Sequence, residues 1–260
     1  MAKVLAIANQ KGGVGKTTTS VNLAASLVSV RRKVLVIDMD AQGNTTTGLG
    51  LDKHNPPMSL SDVLLNKAGL REAIQQVDNI SIDVLSGGPD LTIAELGLMN
   101  EDGREFCLRE ALAPVRDQYD YILIDCPPSL NILTVNALVA ADGVLVPMQC
   151  EYYALEGLSA LISSINTIRD SVNPNLEISG ILRTMYDPRN NLARDVSQQL
   201  AEHFSDTVFT TSIPRNVRLA EAPSHGMPVL IYDKRSSGAL AYLALAAEMI
   251  RKEASGTVAA

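Results

Sequence analysis

Apolar residues gather along the chain into short unbroken runs, separated by longer stretches in which they recur at helical spacing. Residues 4–8, 34–37, 121–124 and 143–148 are apolar runs of strand length and read as buried strands, and 80–85, 178–184, 207–213 and 229–232 are expected to be strands as well. Residues 17–30, 104–117, 130–140, 155–168, 192–203 and 238–252 carry the helical spacing. Strands that alternate with helices form a parallel sheet, because parallel neighbours need a crossover long enough to hold a helix. The expected fold class is therefore α/β, a doubly wound, mostly parallel sheet flanked by helices. No internal repeat and no linker composition interrupts the pattern, so residues 1–260 are expected to form a single domain, with 251–260 a frayed tail.

Composition narrows the function classes. In 260 residues, 46% are apolar, enough to fill one large core. No run of 18 apolar residues and no charged-then-apolar leader occurs, so neither a membrane span nor a secretory signal is expected. Cys107, Cys126 and Cys150 lack metal-ligand spacing and read as buried, inert thiols in a reducing cytoplasmic setting. A net charge of −7 argues against a chain that is basic all over, while leaving room for a local positive face.

The chemistry begins where the first strand meets the first helix. Lys11-Gly12-Gly13-Val14-Gly15-Lys16-Thr17 forms a glycine-rich turn there. Its backbone N–H groups and the positive end of the following helix suit a polyphosphate. Lys16 supplies an ammonium for the outer phosphates, and the Thr17 hydroxyl is placed to ligate Mg²⁺. The generic motif starts with glycine, but this chain has Gln10 there, followed by the additional Lys11. That second lysine neutralises more phosphate, either at its own site or on a neighbouring molecule. Two further strands end in carboxylates, at Asp38-Met39-Asp40 and at Asp125-Cys126-Pro127-Pro128. In an open parallel sheet such strand ends converge on the phosphate loop.

These motifs, with Gln42-Gly43-Asn44, Cys150-Glu151-Tyr152-Tyr153-Ala154-Leu155-Glu156-Gly157 and Ile213-Pro214-Arg215-Asn216-Val217-Arg218-Leu219, resemble the ParA/Soj chromosome-partitioning ATPases over nearly the whole chain. The resemblance implies a P-loop ATPase with the deviant Walker A loop and slow turnover of ATP with Mg²⁺. Two ATP-bound monomers would form a homodimer in which Lys11 reaches the partner's nucleotide. Gly12 would lie where that partner approaches, so a β-branched side chain there should block association. It further implies an ATP site made by Lys11, Gly12, Gly13, Val14, Gly15, Lys16, Thr17 and Thr18, with adenine near Met185, Pro214 and Asn216. Lys11, Lys16, Asp40 and Asp125 are the expected catalytic set, with Thr17, Asp40 and Asp125 serving the metal, the carboxylates through water. Asp40 is expected to orient the attacking water, and Asp38 to support it or cap its strand. The family usually has proline where this chain has Ala41, which loosens the loop after Asp40.

Basic residues cluster late in the chain, at Arg183, Arg189, Arg194, Arg215, Arg218, Lys234 and Arg235. The resemblance implies non-specific binding of double-stranded DNA by the dimer, with Arg189 and Arg218 at matching positions and Arg194, Arg215, Lys234 and Arg235 beside them. It also implies a nucleoid-associated protein whose hydrolysis is stimulated by a ParB/Spo0J-type centromere-binding protein through that partner's basic N-terminal segment. Chromosomal and plasmid segregation are both open. Related MinD ATPases attach to membranes through a basic amphipathic C-terminal helix, which the Ala- and Leu-rich stretch 238–252 does not resemble. An iron–sulfur ATPase would need paired cysteines between subunits, and no acceptor pocket for a metabolic kinase is legible.

Overall fold

A computed structural model describes residues 1–256 apart from 78 and 100. Seven strands form one sheet in the order β3-β4-β2-β5-β1-β6-β7. They are β1 (Lys3–Ile7), β2 (Val34–Asp38), β3 (Ile74–Val77), β4 (Ile82–Leu85), β5 (Tyr121–Asp125), β6 (Gly143–Met148) and β7 (Glu177–Arg183). All neighbours pair in parallel except β3, which runs antiparallel to β4 at the edge. The doubly wound sheet expected from the alternation is the fold observed.

The helices are α1 (Lys16–Ser29), α2 (Asn44–Gly48), α3 (Leu60–Leu64), α4 (Leu70–Ala73), α5 (Leu91–Leu98), α6 (Cys107–Leu112), α7 (Ile132–Ala140), α8 (Ala154–Ser171), α9 (Asn191–His203), α10 (Val217–Glu221), α11 (Val229–Tyr232) and α12 (Ser237–Gly256). They lie on both faces of the sheet. Val4, Ala6, Leu35, Ile37, Ile122 and Ile124 point to a core shared with α3 and α5 to α8. The alternate residues Leu5, Ile7, Val34, Val36 and Leu123 point to a second core with α1 and α12. Strands apolar on both faces give unbroken apolar runs, which is why they were legible as buried.

Several expected elements differ. Residues 207–213 are not a strand: their backbone meets β7 at an isolated Ile181–Val208 bridge and where the Ile213 N–H donates to the Arg183 carbonyl. Their polar groups are taken by side chains: Glu248 accepts from the Thr210 and Thr211 N–H groups, and Arg183 donates to the Phe209 and Thr210 carbonyls. Residues 229–232 form helix α11, started by Pro228, whose carbonyl accepts from Ile231 and Tyr232. The expected helix 104–117 is broken, with α6 flanked by single turns at Arg104–Phe106 and Arg116–Gln118, because Pro114 cannot continue it. The expected strand 80–85 starts only at Ile82. Residues 251–256, expected to be frayed, continue α12 to Gly256, and residues 257–260 lie outside the described residues.

Candidate active site: a phosphate loop at the carboxyl edge of the sheet

Strand register brings the carboxylates together. Ile7 and Asp38 both sit opposite Asp125, so the ends of β1, β2 and β5 are side by side where the loop 9–15 turns into α1. Gly13 and Gly15 take φ values of 74° and 91°, which a β-carbon would resist. Asn9 fixes the loop from below, donating to the Pro147 carbonyl and accepting from the Lys11 N–H. Thr184 holds its other side by donating to the Val14 carbonyl. Val14 is buried, whereas Gly12 and Gly13 are exposed, and a β-carbon on either would meet nothing within 4 Å.

The two lysines of the loop diverge. Lys16 is buried and its Nζ donates to the Lys11 carbonyl at 3.1 Å, inside the cradle. Burial lowers its pKa, against the opposing pull of Asp125, Cys126 and Asp40. Lys11 turns outward and pairs with Glu151 at 2.5 Å, both side chains about half exposed.

Asp125 is buried and accepts from three hydroxyls: Thr17 at 2.8 Å, Ser20 at 2.9 Å and Thr45 at 2.7 Å. Burial raises its pKa, and these hydrogen bonds limit the rise. Asp38 is equally buried and its pKa is raised by burial and by Asp125. It accepts from the N–H and hydroxyl of Thr46 and from the Asp40 N–H. Asp38 thus braces the loop that carries Asp40, the supporting role weighed for it. Asp40 is half-buried, and its Oδ1 accepts from the Gln42 N–H at 2.9 Å.

The oxygen set fits Mg²⁺. A threonine hydroxyl beside a buried carboxylate is a hard-oxygen pair, which that ion uses together with phosphate and water. Among the described residues no cluster of three His, Cys, Asp or Glu side chains could cage a metal by itself.

Next to the cradle is a cavity of about 300 Å³ lined by Gly15, Thr18, Met185, Pro214, Asn216 and Tyr242. An isolated bridge from Tyr186 to Pro214 sets Met185 beside Pro214, and a hydrogen bond between the Thr19 and Tyr242 hydroxyls brings the last helix to the first. Met185 holds a φ of 49°, uncommon for a non-glycine residue. The Asn216 amide caps α10 and donates to Ser237, so Met185 and Pro214 supply the apolar walls.

The expected DNA residues are exposed, but several already have partners. Arg189 pairs with Asp187, Arg218 with Glu221 and Asp233, and Arg194 donates to Asn191. Arg215 stands at the rim of the nucleotide-sized cavity, and Lys234 and Arg235 are exposed beyond α11. Arg183 does not belong to this surface: its guanidinium ties Ser197 to residues 209 and 210. All three cysteines are free thiols, with Cys126 and Cys150 buried. Sequence reasoning missed Ser20, Thr45, Thr46, Thr184 and the Lys11 partner Glu151. The run Asn44-Thr45-Thr46-Thr47 after Gly43 was the available signal for two of them.

A family model described as an AAA domain matches residues 2–178. The chain is 49% identical over 253 residues to the chromosome partitioning protein ParA of Myxococcus xanthus (strain DK1622), covering 97% of this chain and 89% of that one. It is also 49% identical over 249 residues to the sporulation initiation inhibitor protein Soj of Bacillus subtilis (strain 168), covering 96% and 98%. The chain belongs to the ParA/Soj family of chromosome-partitioning ATPases. The ParA/Soj fold here matches a crystal structure of cobyrinic acid a,c-diamide synthase from Mycobacterium smegmatis with bound ATP analog and magnesium. The TM-score is 0.86 at 38% identity, covering 98% of this chain and 97% of that one. It also matches the cell division ATPase MinD of Pyrococcus furiosus, with a TM-score of 0.80 at 26% identity, covering 96% and 99%.

Proposed function

We propose that this ParA/Soj protein is a switch ATPase: ATP brings two copies together, the pair holds double-stranded DNA without sequence preference, and hydrolysis returns monomers that bind weakly. It would act on the nucleoid in the segregation of a chromosome or plasmid, with hydrolysis stimulated by a ParB/Spo0J-type partner. The observation that carries this reading is the divergence of two lysines in one loop. Lys16 stays inside its own cradle, while Lys11 leaves it for an exposed rim where Gly12 presents open space. Two polyphosphates facing each other across a dry interface would repel without added cations, and a lysine that points outward from each copy supplies them.

Within that reading each residue has a physical task. The backbone of Gly13 to Lys16 and the Lys16 ammonium hold the phosphates, and Thr18, Met185 and Pro214 hold the base. Thr17, with Asp125 through water, would hold Mg²⁺, which when bound offsets phosphate charge. Asp40 orients the attacking water from a loop that Asp38 and Thr46 keep in place. A membrane-attached, MinD-like role has less support, since Tyr242, Leu245 and Met249 of α12 are buried in the core rather than free for a bilayer. Among the described residues no helix is long and apolar enough to cross a membrane.

Sedimentation of wild type and Lys11→Ala with ATP, ADP and no nucleotide, followed by DNA retention, tests the switch. Only wild type with ATP should be dimeric and DNA-bound; an ADP form that dimerises and binds DNA equally well would overturn the reading. Gly12→Val is the companion variant, expected to stay folded and monomeric because its side chain meets nothing within one copy.

A further inference from the structure

Helix α5 buries Leu91, Ala94 and Leu98 and leaves Ile93 and Leu96 exposed at 61% and 64%. Three positions apart on a helix, these two share a face. Single exposed apolar residues are ordinary on a protein surface, but Ile93 of this pair also lines a groove of about 440 Å³, with Pro56 and Pro89 as its other apolar residues and Lys53, His54, Ser59, Asp62 and Asp90 as its polar ones. An aliphatic ridge beside a groove with acidic walls offers the two kinds of contact that an amphipathic segment makes.

Charge selects the occupant. Asp62 and Asp90 line the groove, and both are tethered to Ser59. Lys53 donates its ammonium to the Gln42 carbonyl at 2.7 Å, a single positive charge against those two carboxylates, and His54 follows it in the chain. Exposed Asp52 stands next to them in the chain. The open charge is negative, on a chain whose net charge is −7. A segment with an apolar stripe and lysines or arginines along its flanks therefore fits, and an acidic segment is repelled.

The groove also touches the catalytic loop. Lys53 holds the Gln42 carbonyl, the Gln42 N–H donates to Asp40, and the Lys53 stem lies against Gly43, where a β-carbon would come within 2.8 Å of it. Anything that displaces Lys53 moves the support of Asp40.

We propose that the groove between residues 53–62 and the start of α5, with Ile93 and Leu96 beside it, is where a basic amphipathic segment of the stimulating partner docks. Lys53 is the positioning residue that passes this contact to Asp40. The inference rests on the switch reading above and adds to it the surface through which stimulation arrives.

The test uses the full-length ParB-type protein of the same cell and a fluorescent peptide of its basic N-terminal segment. Ile93→Ser with Leu96→Ser, which removes the apolar ridge without adding charge, should weaken peptide binding by at least about tenfold and abolish stimulation. Basal hydrolysis, ATP-dependent sedimentation and melting temperature should be unchanged, because both side chains are largely exposed. Lys53→Gln should retain peptide binding and lose stimulation, a split that a merely structural role would not produce. Unchanged peptide binding and stimulation in the double variant would overturn the docking surface and leave the switch intact. A change in its sedimentation without the partner would also overturn it, marking the face as a contact between copies. If wild-type hydrolysis does not respond to the partner at all, partner stimulation falls and the docking surface falls with it.

Discussion

Asp38 and Asp125 lie opposite each other at the ends of neighbouring strands; burial makes both harder to ionise, and the Asp125 charge adds to this for Asp38. Asp38 is raised to about 7, and the folded, nucleotide-free chain therefore holds a proton that the unfolded chain releases nearer 3.8. Between those values the folded state binds more protons, so stability falls as pH rises through the window. Asp38→Asn, which cannot ionise, should gain on wild type over the same rise. A relative shift of about 2–4 °C in melting temperature corresponds to one pKa unit in a chain of this size. Parallel thermal melts at pH 5 and pH 8 check it, and a constant difference between the two proteins would remove Asp38 as the source. Thr45→Val deletes one of three hydroxyls on Asp125 and should cost about 1.5–3 kcal/mol, read as a lower denaturation midpoint. Lys11, Lys16, Thr17 and Asp125 were legible at this scale because loop chemistry is local in sequence. Thr45 and Glu151 were not, since one reaches Asp125 and the other reaches Lys11 from 80 and 140 positions away.

Elements with two apolar faces or long helical periods were readable, and those held by side chains were not. Segment 207–213 carries the β-branched residues of a strand, yet between its backbone bonds to Ile181 and Arg183 the side chains of Arg183 and Glu248 bind residues 209–211 in place of a ladder. Gly180 lets it pack closely, since a β-carbon there would lie 2.1 Å from the Phe209 ring. Burial alone would push the Glu248 carboxyl up, but hydrogen bonds from Thr211 and Thr210 outweigh it and hold the pKa below 4.5. The stability it contributes is therefore present above the ordinary value and is lost as pH falls through the lowered one. Glu248→Gln should destabilise the chain by about 1–3 kcal/mol at pH 7, with the difference from wild type shrinking in acid, as denaturation at pH 7 and pH 3.5 would register. Edge strand β3 escaped notice because Ile74-Gln75-Gln76-Val77 has polar residues at its centre and only half-buried ends. Helices α2 to α4, at four or five residues, are shorter than the period that reveals a helix.

For the whole molecule, the basic residues matter through where the fold brings them. The Tyr186–Pro214 bridge brings the loop of Asp187 to Asn190 against Arg215, and Arg218 pairs with Asp233, which precedes Lys234 and Arg235 in the chain. If each copy in a dimer engages three of these cations, about six phosphate contacts form and log affinity for DNA should fall against log salt with a slope near −5. Removing Arg218 from both copies should reduce that slope by about 2, and a slope unchanged across a salt titration would exclude Arg218 from the contact. The sequence alone determined the parallel sheet, the phosphate loop and the carboxylates at the strand ends, because hydrophobic period and short-range motifs are written in consecutive residues. Only the tertiary structure decided that Arg183 is internal, that Lys11 faces outward to Glu151, and that Met185 meets Pro214 beside Thr18. Those outcomes depend on which distant segments pack together, and the packing is set by crossovers and sheet order rather than by any local pattern.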